Sequence, residues 1–172
     1  MHQAGCRPKK STLTHTIENS ETPPAKQVPP QNSGTQSFRS VLQVSEAEVK
    51  HNKLYSFSEQ WYGSPYKYGG CERSGVDCSC FVNLLYQQVY GKTLARTAAD
   101  MFKACESLDL EKMAQGDLVF FKIGGTSISH VGVLLKGKLF IHASTSRGVI
   151  VNSLDEAYYK KYFYCAGKVK KA

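Results

Sequence analysis

The sequence predicts an α+β domain, in which helices come first and the strands of an antiparallel sheet follow. Apolar residues recur at helical spacing between about residues 45 and 105, whereas short segments of strand composition dominate after residue 116. The chain has 172 residues, which is enough for one domain of ordinary size. No internal repeat is present at any period.

Residues 1–44 are expected to be a disordered linker, and residues 45–172 the folded domain. Five of the six prolines fall within the first thirty residues, where Ser, Thr, Gln and Asn dominate. Such a segment cannot bury enough apolar surface to offset the entropy lost on ordering. No segment reaches the roughly 18 apolar residues that are needed to span a bilayer.

Helices are expected at four places. Ser45 and Glu48 have the form of a capping box, which predicts a helix that runs to about Trp61. A loop rich in Gly and Pro follows over residues 63–75, and it is expected to form the wall of a site. The remaining helices are expected between Asp77 and Gly91, from Thr97 to Cys105, and from Leu154 to Tyr162.

Four later segments have strand lengths and compositions, and they supply the sheet against which the Asp77–Gly91 helix packs: 117–122, 128–135, 139–143 and 163–169.

Cys78 would lie in the first turn of the second helix, where unpaired N–H groups and the helix dipole lower the pKa of a thiol. A Cys at a helix start is more often a small buried residue than a nucleophile, so other residues must decide its role. Cys80 lies roughly 200° around the helix from Cys78 and should face the packing side.

His130 and His142 fall in two neighbouring apolar strands. One buried histidine is easily satisfied by a backbone carbonyl, but two in adjoining strands are harder to explain as core residues. If residues 136–138 form a loop of odd length, both side chains share one face of the sheet, whereas a two-residue loop would separate them. A thiol at Cys78, a base at His130 and an orienting His142 would follow the triad logic of cysteine peptidases.

The formal net charge of +8 divides as +2 over residues 1–50 and +6 over residues 51–172. A basic domain favours anionic polymers such as nucleic acid, acidic lipid or a bacterial wall, although scattered charges also serve solubility alone. The six cysteines are too few and too irregular for a disulfide scaffold. No CxxC pair is present, so a zinc site is not expected.

Five motifs, in their order and spacing, resemble the NlpC/P60 family of cell-wall peptidases over about residues 61–168. They are PYKYGG at 65–70, GVDCS at 75–79, GDLVFF at 116–121, SHVG at 129–132 and FIHAS at 140–144. The resemblance is closest to the lipoprotein members that act as murein endopeptidases. It implies a papain-like NlpC/P60 fold with the nucleophile helix packed on an antiparallel sheet.

The resemblance also implies roles for individual residues. Cys78 is the expected nucleophile, His130 the base and His142 the third polar residue. Tyr66 matches a tyrosine that lines the catalytic pocket and helps to stabilise the oxyanion. Three more positions match residues that contact the amino end of a stem peptide: Asp77, Ser79 and Ser129. The chain departs from the family at Cys80, where Gly or Ala is usual, and this puts the local packing in doubt.

The function implied is an endopeptidase that cuts stem-peptide or cross-link amide bonds of peptidoglycan. The bond would join D-alanine or D-glutamate to meso-diaminopimelate. The expected partners are stem peptides rather than nucleic acid, with no cofactor and a monomeric protein. Two alternatives stay open, namely a non-catalytic wall-binding module and an amidase or acyltransferase that uses the same triad on another substrate.

Ala4, Gly5 and Cys6 have the small-small-Cys form of a lipoprotein processing site. The hydrophobic stretch that should precede this site is missing from the sequence, so the tripeptide is either accidental or the start of a lipidated chain. Lipidation of Cys6 would anchor the protein to a membrane. The expected location is the bacterial cell envelope, either periplasmic, anchored to the outer membrane or secreted.

Overall fold

The computed structural model describes residues 36–170. In this part of the chain the α-helices are α1 (Phe38–Leu42), α2 (Glu46–His51), α3 (Lys53–Trp61), α4 (Cys78–Tyr90), α5 (Ala98–Ala104) and α6 (Ala157–Tyr162). The strands are β1 (Cys71–Glu72), β2 (Gly75–Val76), β3 (Cys105–Leu108), β4 (Leu118–Phe121), β5 (His130–Lys136), β6 (Leu139–Ser144), β7 (Gly148–Ser153) and β8 (Phe163–Val169). Helices therefore precede most of the strands, and the predicted α+β class is confirmed.

The main sheet has the strand order β3-β8-β4-β5-β6-β7, and every neighbouring pair is antiparallel. All four predicted strands are present as β4, β5, β6 and β8. Strands β3 and β7 were not predicted, although the Val-Ile-Val run of β7 is typical of a strand. None of the helices within residues 36–170 is long and apolar enough to cross a membrane.

Helix α1 lies inside the segment that the sequence predicted to be a linker. The Ser37 side chain caps it, and the side chains of Phe38 and Leu42 are buried. Phe38 packs edge-on against the rings of Tyr55 and Tyr62. The predicted domain boundary at residue 45 is therefore too late, because apolar side chains already join the core at Phe38. The rest of the linker prediction, including Cys6, falls on residues that the structure does not describe.

The predicted helix from Ser45 to Trp61 is two helices. The capping box at Ser45 is present, since the Ser45 hydroxyl accepts from the Glu48 N–H and the Glu48 carboxylate accepts from the Ser45 N–H. Asn52 then ends α2 in an extended conformation, and its side chain accepts from the first N–H groups of α3. Asn is among the best N-cap residues, so a new helix, α3, begins after Asn52 and α2 does not continue.

Helix α4 has the predicted limits. Asp77 caps its first turn through the Cys80 N–H, and Gly91 ends it in the left-handed conformation with φ of 65°. Its apolar side packs on the face of the sheet that carries Val131, Val133 and Ile141. The opposite face holds a smaller cluster with Phe121, Leu134, Phe140 and Tyr159. Helix α4 therefore covers one face of the sheet and contacts β5 and β6.

Candidate active site

The two histidines share one face of the β5–β6 hairpin, as predicted, but for a different reason. The loop has only two residues, because Lys136 pairs with Leu139. A register shift between Leu134 and Lys136 then restores the pairing of Leu134 with Phe140. Without this shift a two-residue loop would turn His142 to the face opposite His130.

His130 and His142 are both buried and lie in direct contact. The Nε2 atom of His130 is 2.8 Å from the Nδ1 atom of His142. Gly132 makes room for this contact, because a Cβ atom there would lie 3.2 Å from the His142 Cβ and 2.8 Å from the Phe140 ring. Since Nε2 of His130 is engaged with His142, its Nδ1 atom is the nitrogen that remains for a thiol.

Sequence reasoning missed the residues on the far side of His142. Its Nε2 atom lies 3.0 Å from Asn152 Oδ1 and 3.2 Å from the Tyr159 hydroxyl. The amide nitrogen of Asn152 in turn donates to both carboxylate oxygens of Glu156, at 2.9 Å each. Asn152 belongs to the unpredicted strand β7, which pairs with β6 directly beside His142. Recognition of β7 would have placed its buried polar side chain next to the histidines.

Cys78 lies in the first turn of α4 and is 9% exposed. Its sulfur accepts hydrogen bonds from backbone N–H groups, among them that of Val131, the residue after His130. This contact brings the start of α4 to the beginning of β5. The structure therefore brings together the elements that carry Cys78 and His130, which are α4 and β5. Among Cys78, His130 and His142, the side-chain hydrogen bond is the one between the two histidines.

Burial keeps both reactive groups uncharged. It raises the pKa of the Cys78 thiol to about 11, even though the backbone N–H groups act in the opposite direction. Burial also lowers the pKa of His130 to about 4 and that of His142 well below its ordinary value. The expected depression of the thiol pKa is therefore not found, because the loss of hydration outweighs the helix start.

Tyr66 lies near enough to Cys78 for the two groups to interact electrostatically. The chain at Tyr66 forms a parallel bridge with Val76, and the Lys67 N–H donates to the Val76 carbonyl. Burial raises the pKa of the half-buried Tyr66 phenol, and the nearby Cys78 and Asp77 act in the same direction. Tyr66 thus offers a neutral hydroxyl, which can donate a hydrogen bond to an anion.

Asp77 and Ser79 are tied to a residue that the sequence did not indicate, Arg96. The guanidinium donates to both Asp77 oxygens, at 3.1 and 2.6 Å, and to the Ser79 hydroxyl at 2.8 Å. Burial alone would raise the pKa of Asp77, but the hydrogen bonds from Arg96, Cys80 and Ser79 leave it lowered. The Arg96 side chain remains 49% exposed, so part of the guanidinium faces solvent.

Ser129 is exposed and precedes His130 directly. Its hydroxyl donates to the Ile123 carbonyl and accepts from the Ile123 N–H, so it closes the loop between β4 and β5. Ser129 therefore lies at the rim of the site, with its side chain engaged in holding that loop.

A disulfide joins Cys71 to Cys80, with their Cα atoms 5.4 Å apart. Cys80 was expected to face the packing side, and it is indeed only 3% exposed, but its disulfide partner was not predicted. The bond connects strand β1 to the first turn of α4, on either side of Asp77 and Cys78. No group of three or more potential metal ligands lies together within residues 36–170.

Comparison with known proteins assigns the chain to a family. Probable endopeptidase NlpC of Escherichia coli K12 is 41% identical over 112 residues, which cover 64% of this chain and 73% of that protein. Murein DD-endopeptidase MepS/Murein LD-carboxypeptidase of the same strain is 33% identical over 153 residues, or 84% of this chain and 81% of that protein.

Among solved structures, an NlpC/P60 family protein from Bacillus cereus ATCC 10987 matches with a TM-score of 0.63 and 27% identity. The match covers 68% of this chain and 39% of the Bacillus chain, so this chain corresponds to less than half of that protein. The sequence model of the NlpC/P60 family matches residues 63–168, which is more than half of the chain and spans every motif that carried the resemblance. This chain is therefore a member of the NlpC/P60 family.

Proposed function

We propose that this protein is a cysteine endopeptidase that cleaves amide bonds in the peptides of the bacterial cell wall. The observation that carries the proposal is the buried contact between His130 and His142 at the point where the start of α4 brings in Cys78. Relatives at 33% and 41% identity are named as murein or probable endopeptidases, which supports the same activity for this chain.

In the proposed mechanism the Cys78 sulfur attacks the amide carbonyl while its proton passes to Nδ1 of His130. The two steps go together because neither group is charged at rest. The proton on His130 then passes to the leaving amine as the carbon–nitrogen bond breaks, and a thioester remains on Cys78. His130 next takes a proton from water, which attacks the thioester and releases the carboxylic acid and the thiol. The Tyr66 hydroxyl donates a hydrogen bond to the oxyanion both when the thioester forms and when water hydrolyses it.

The proposed substrate contacts lie along the rim formed by Asp77, Ser79, Arg96 and Ser129. Asp77 already accepts from Arg96, Ser79 and backbone N–H groups, so an ammonium group on the substrate would have to compete with Arg96. We therefore place a substrate carboxylate on the exposed side of Arg96, with Asp77 and Ser79 acting through the guanidinium. Stem peptides carry such carboxylates on both D-glutamate and meso-diaminopimelate.

The proposed location is the bacterial cell envelope, which is where this substrate lies. Anchoring through a lipidated Cys6 belongs to the same proposal, and mass analysis of the protein from its native membrane tests it. Recovery of unmodified Cys6 would remove the anchor and leave the proposed activity unaffected.

Purified muropeptides of known cross-linking test the activity directly. We expect the wild-type protein to release products whose masses identify the bond that is cut, and Cys78→Ser to release none. Cys105→Ser is the matched control, because Cys105 is a free cysteine of β3, remote in the fold from the start of α4. Turnover by Cys78→Ser at the wild-type rate would refute the mechanism, and binding without cleavage by the wild type would favour the wall-binding alternative.

A further inference from the structure

We propose that Asn152 and Glu156 are positioning residues that determine which nitrogen of each active-site histidine carries its proton. The inference rests on the proposed function, because it assigns His130 the role of base. It concerns residues beyond the Cys78, His130 and His142 group, and it starts from the three neighbours of the Asn152 amide.

The orientation of the Asn152 amide follows from the chemistry of two of these neighbours. Arg147 Nη2 lies 3.4 Å from one end of the amide, and a guanidinium can only donate, so this end is the oxygen. The two oxygens of Glu156 lie 2.9 Å from the other end, and a carboxylate only accepts, so that end is the NH₂ group. This orientation follows from Arg147 and Glu156 alone and does not depend on His142.

The tautomers of both histidines then follow in sequence. The Asn152 oxygen faces Nε2 of His142 at 3.0 Å, so Nε2 must carry the proton and Nδ1 is left as an acceptor. That Nδ1 lies 2.8 Å from Nε2 of His130, which must therefore be the donor. The lone pair of His130 is consequently on Nδ1, where it can accept the proton of the Cys78 thiol. The opposite tautomer of His130 would present an N–H to the thiol and could not act as a base.

Burial makes this arrangement necessary. His142 is 1% exposed and Asn152 is 6% exposed, so water has little access to either group and cannot select a tautomer. The Tyr159 hydroxyl, 3.2 Å from Nε2 of His142, does not select one either, because a hydroxyl both donates and accepts. The choice is left to Asn152, whose orientation is set by the charged Glu156 and Arg147.

Glu156 also has a structural role, since its carboxylate accepts from the Ser153 N–H at 2.7 Å just before α6. The test therefore needs a readout that a purely structural role would not change. That readout is the tautomeric state of the two imidazoles, measured by nitrogen-15 NMR of the full chain at neutral pH. In the wild type we expect both His130 and His142 as single Nε2–H tautomers.

The variants are Asn152→Leu, which removes the acceptor, and Glu156→Gln, which keeps the size of the side chain and removes its charge. We expect Asn152→Leu to give mixed tautomers at both histidines and to lower kcat by more than about tenfold with little change in KM. Glu156→Gln should give a partial mixture and a smaller loss. Asp155→Asn is the matched control, because exposed Asp155 pairs with Lys138 and does not contact Asn152.

A wild-type His142 protonated on Nδ1 would overturn the proposal, as would single, unchanged tautomers in both variants. If Asn152→Leu fails to fold, Glu156→Gln alone decides, and a wild-type spectrum together with a wild-type rate refutes the positioning role. Failure of the proposed function gives a different result. In that case the wild type would not cleave muropeptides, or Cys78→Ser would cleave them at the wild-type rate, while the tautomers remained as inferred.

Discussion

Cys78 and His130 are both uncharged before a substrate binds, because each is buried where a charge would lose its hydration. A thiolate–imidazolium pair at rest would need a setting in which water or a counter-charge supports both ions. Here the thiol accepts hydrogen bonds from backbone N–H groups while the nearby Asp77 disfavours its charged form, and His130 is hydrogen-bonded to another neutral histidine. At the level of single residues, the neutral pair therefore supports the proposed mechanism, in which His130 takes the thiol proton during the attack.

Arg96 is the residue whose charge we expect to select the substrate. The Arg96→Ala substitution leaves the Asp77 carboxylate without its cation. The rim would then bind an ammonium group of the substrate instead of a carboxylate. We expect KM for peptides with a free α-carboxylate to rise about 10- to 100-fold, as for the loss of a charge-assisted hydrogen bond. Steady-state kinetics on matched peptides with a free or an amidated carboxylate measure the effect.

Lys103→Ala is the control for the Arg96 substitution, because it removes the same charge from an exposed side chain whose partner is Asp100. Arg96→Lys should fall between the wild type and Arg96→Ala, since it keeps the charge and loses the two-pronged geometry. An Arg96→Ala enzyme that treats free and amidated peptides as the wild type does would show that Arg96 only supports Asp77.

At the level of elements, the β5–β6 hairpin has both histidines on one face, although the loop length that would place them there was predicted incorrectly. The alternation of apolar residues placed His130 and His142 on strands, but the sequence does not encode a visible signal for the register shift before Lys136. The shift arises because both strands must bury their apolar faces, and a two-residue loop without it would bring the wrong faces together. Helix α4 was predictable because its cap, apolar period and terminal Gly91 are all local.

The rest of the site was not predictable, because its contacts join residues that are distant in the sequence. Arg96 reaches Asp77 across 19 positions of the chain, and Asn152 reaches His142 across 10. Such pairings depend on how strands and loops come together, which periodicity does not specify. The Cys71–Cys80 disulfide is similar, because Cys71 belongs to a two-residue strand without a detectable pattern.

This disulfide should stabilise the protein, since it closes a loop of 9 residues between strand β1 and helix α4. Restricting the unfolded chain in this way is worth about 2.5 kcal/mol for so short a loop. We expect a reductant to lower the free energy of unfolding in urea by about this amount. Cys71→Ser is the control, because it lacks the bond and should unfold identically with and without reductant. A wild-type midpoint that does not respond to reduction would contradict the prediction.

At the level of the whole molecule, helices α1–α5 cover one face of the sheet and α6 packs on the other, and α1 extends the first layer beyond the domain boundary predicted from the sequence. Phe38 and Leu42 are 2% and 1% exposed, and α1 contacts both α3 and β7. The sequence underestimated this segment because five residues are too short to show a helical period. Strand β7 also carries Asn152, so α1 supports one edge of the site.

Removal of α1 should therefore destabilise the domain. A chain that begins at Ser45 loses two buried apolar side chains, and each deletion of this kind costs about 2–5 kcal/mol. We expect its melting temperature to fall well below that of a chain that begins at Gln36, which keeps α1 and is the matched control. Equal melting temperatures for the two chains would mean that α1 does not contribute to the core.

The two buried histidines should make the whole molecule sensitive to acid. The pKa of His130 is about 4 in the folded protein against an ordinary value of 6.5, and that of His142 is also lowered. Between these two pH values the unfolded chain binds more protons than the folded protein, so stability is complete above pH 6.5 and is lost as the pH falls towards 4. For His130 alone the loss reaches about 3 kcal/mol at the lower end.

Urea unfolding at a series of pH values measures this dependence. We expect the wild-type free energy of unfolding to fall continuously from pH 6.5 to pH 4, and His142→Asn to show a shallower fall because one of the two buried imidazoles is gone. His51→Ala is the control, because it removes a histidine from the exposed end of α2 and keeps both buried imidazoles. A constant free energy across this range would mean that the histidines are solvated, in which case the neutral base assigned to His130 would also be lost.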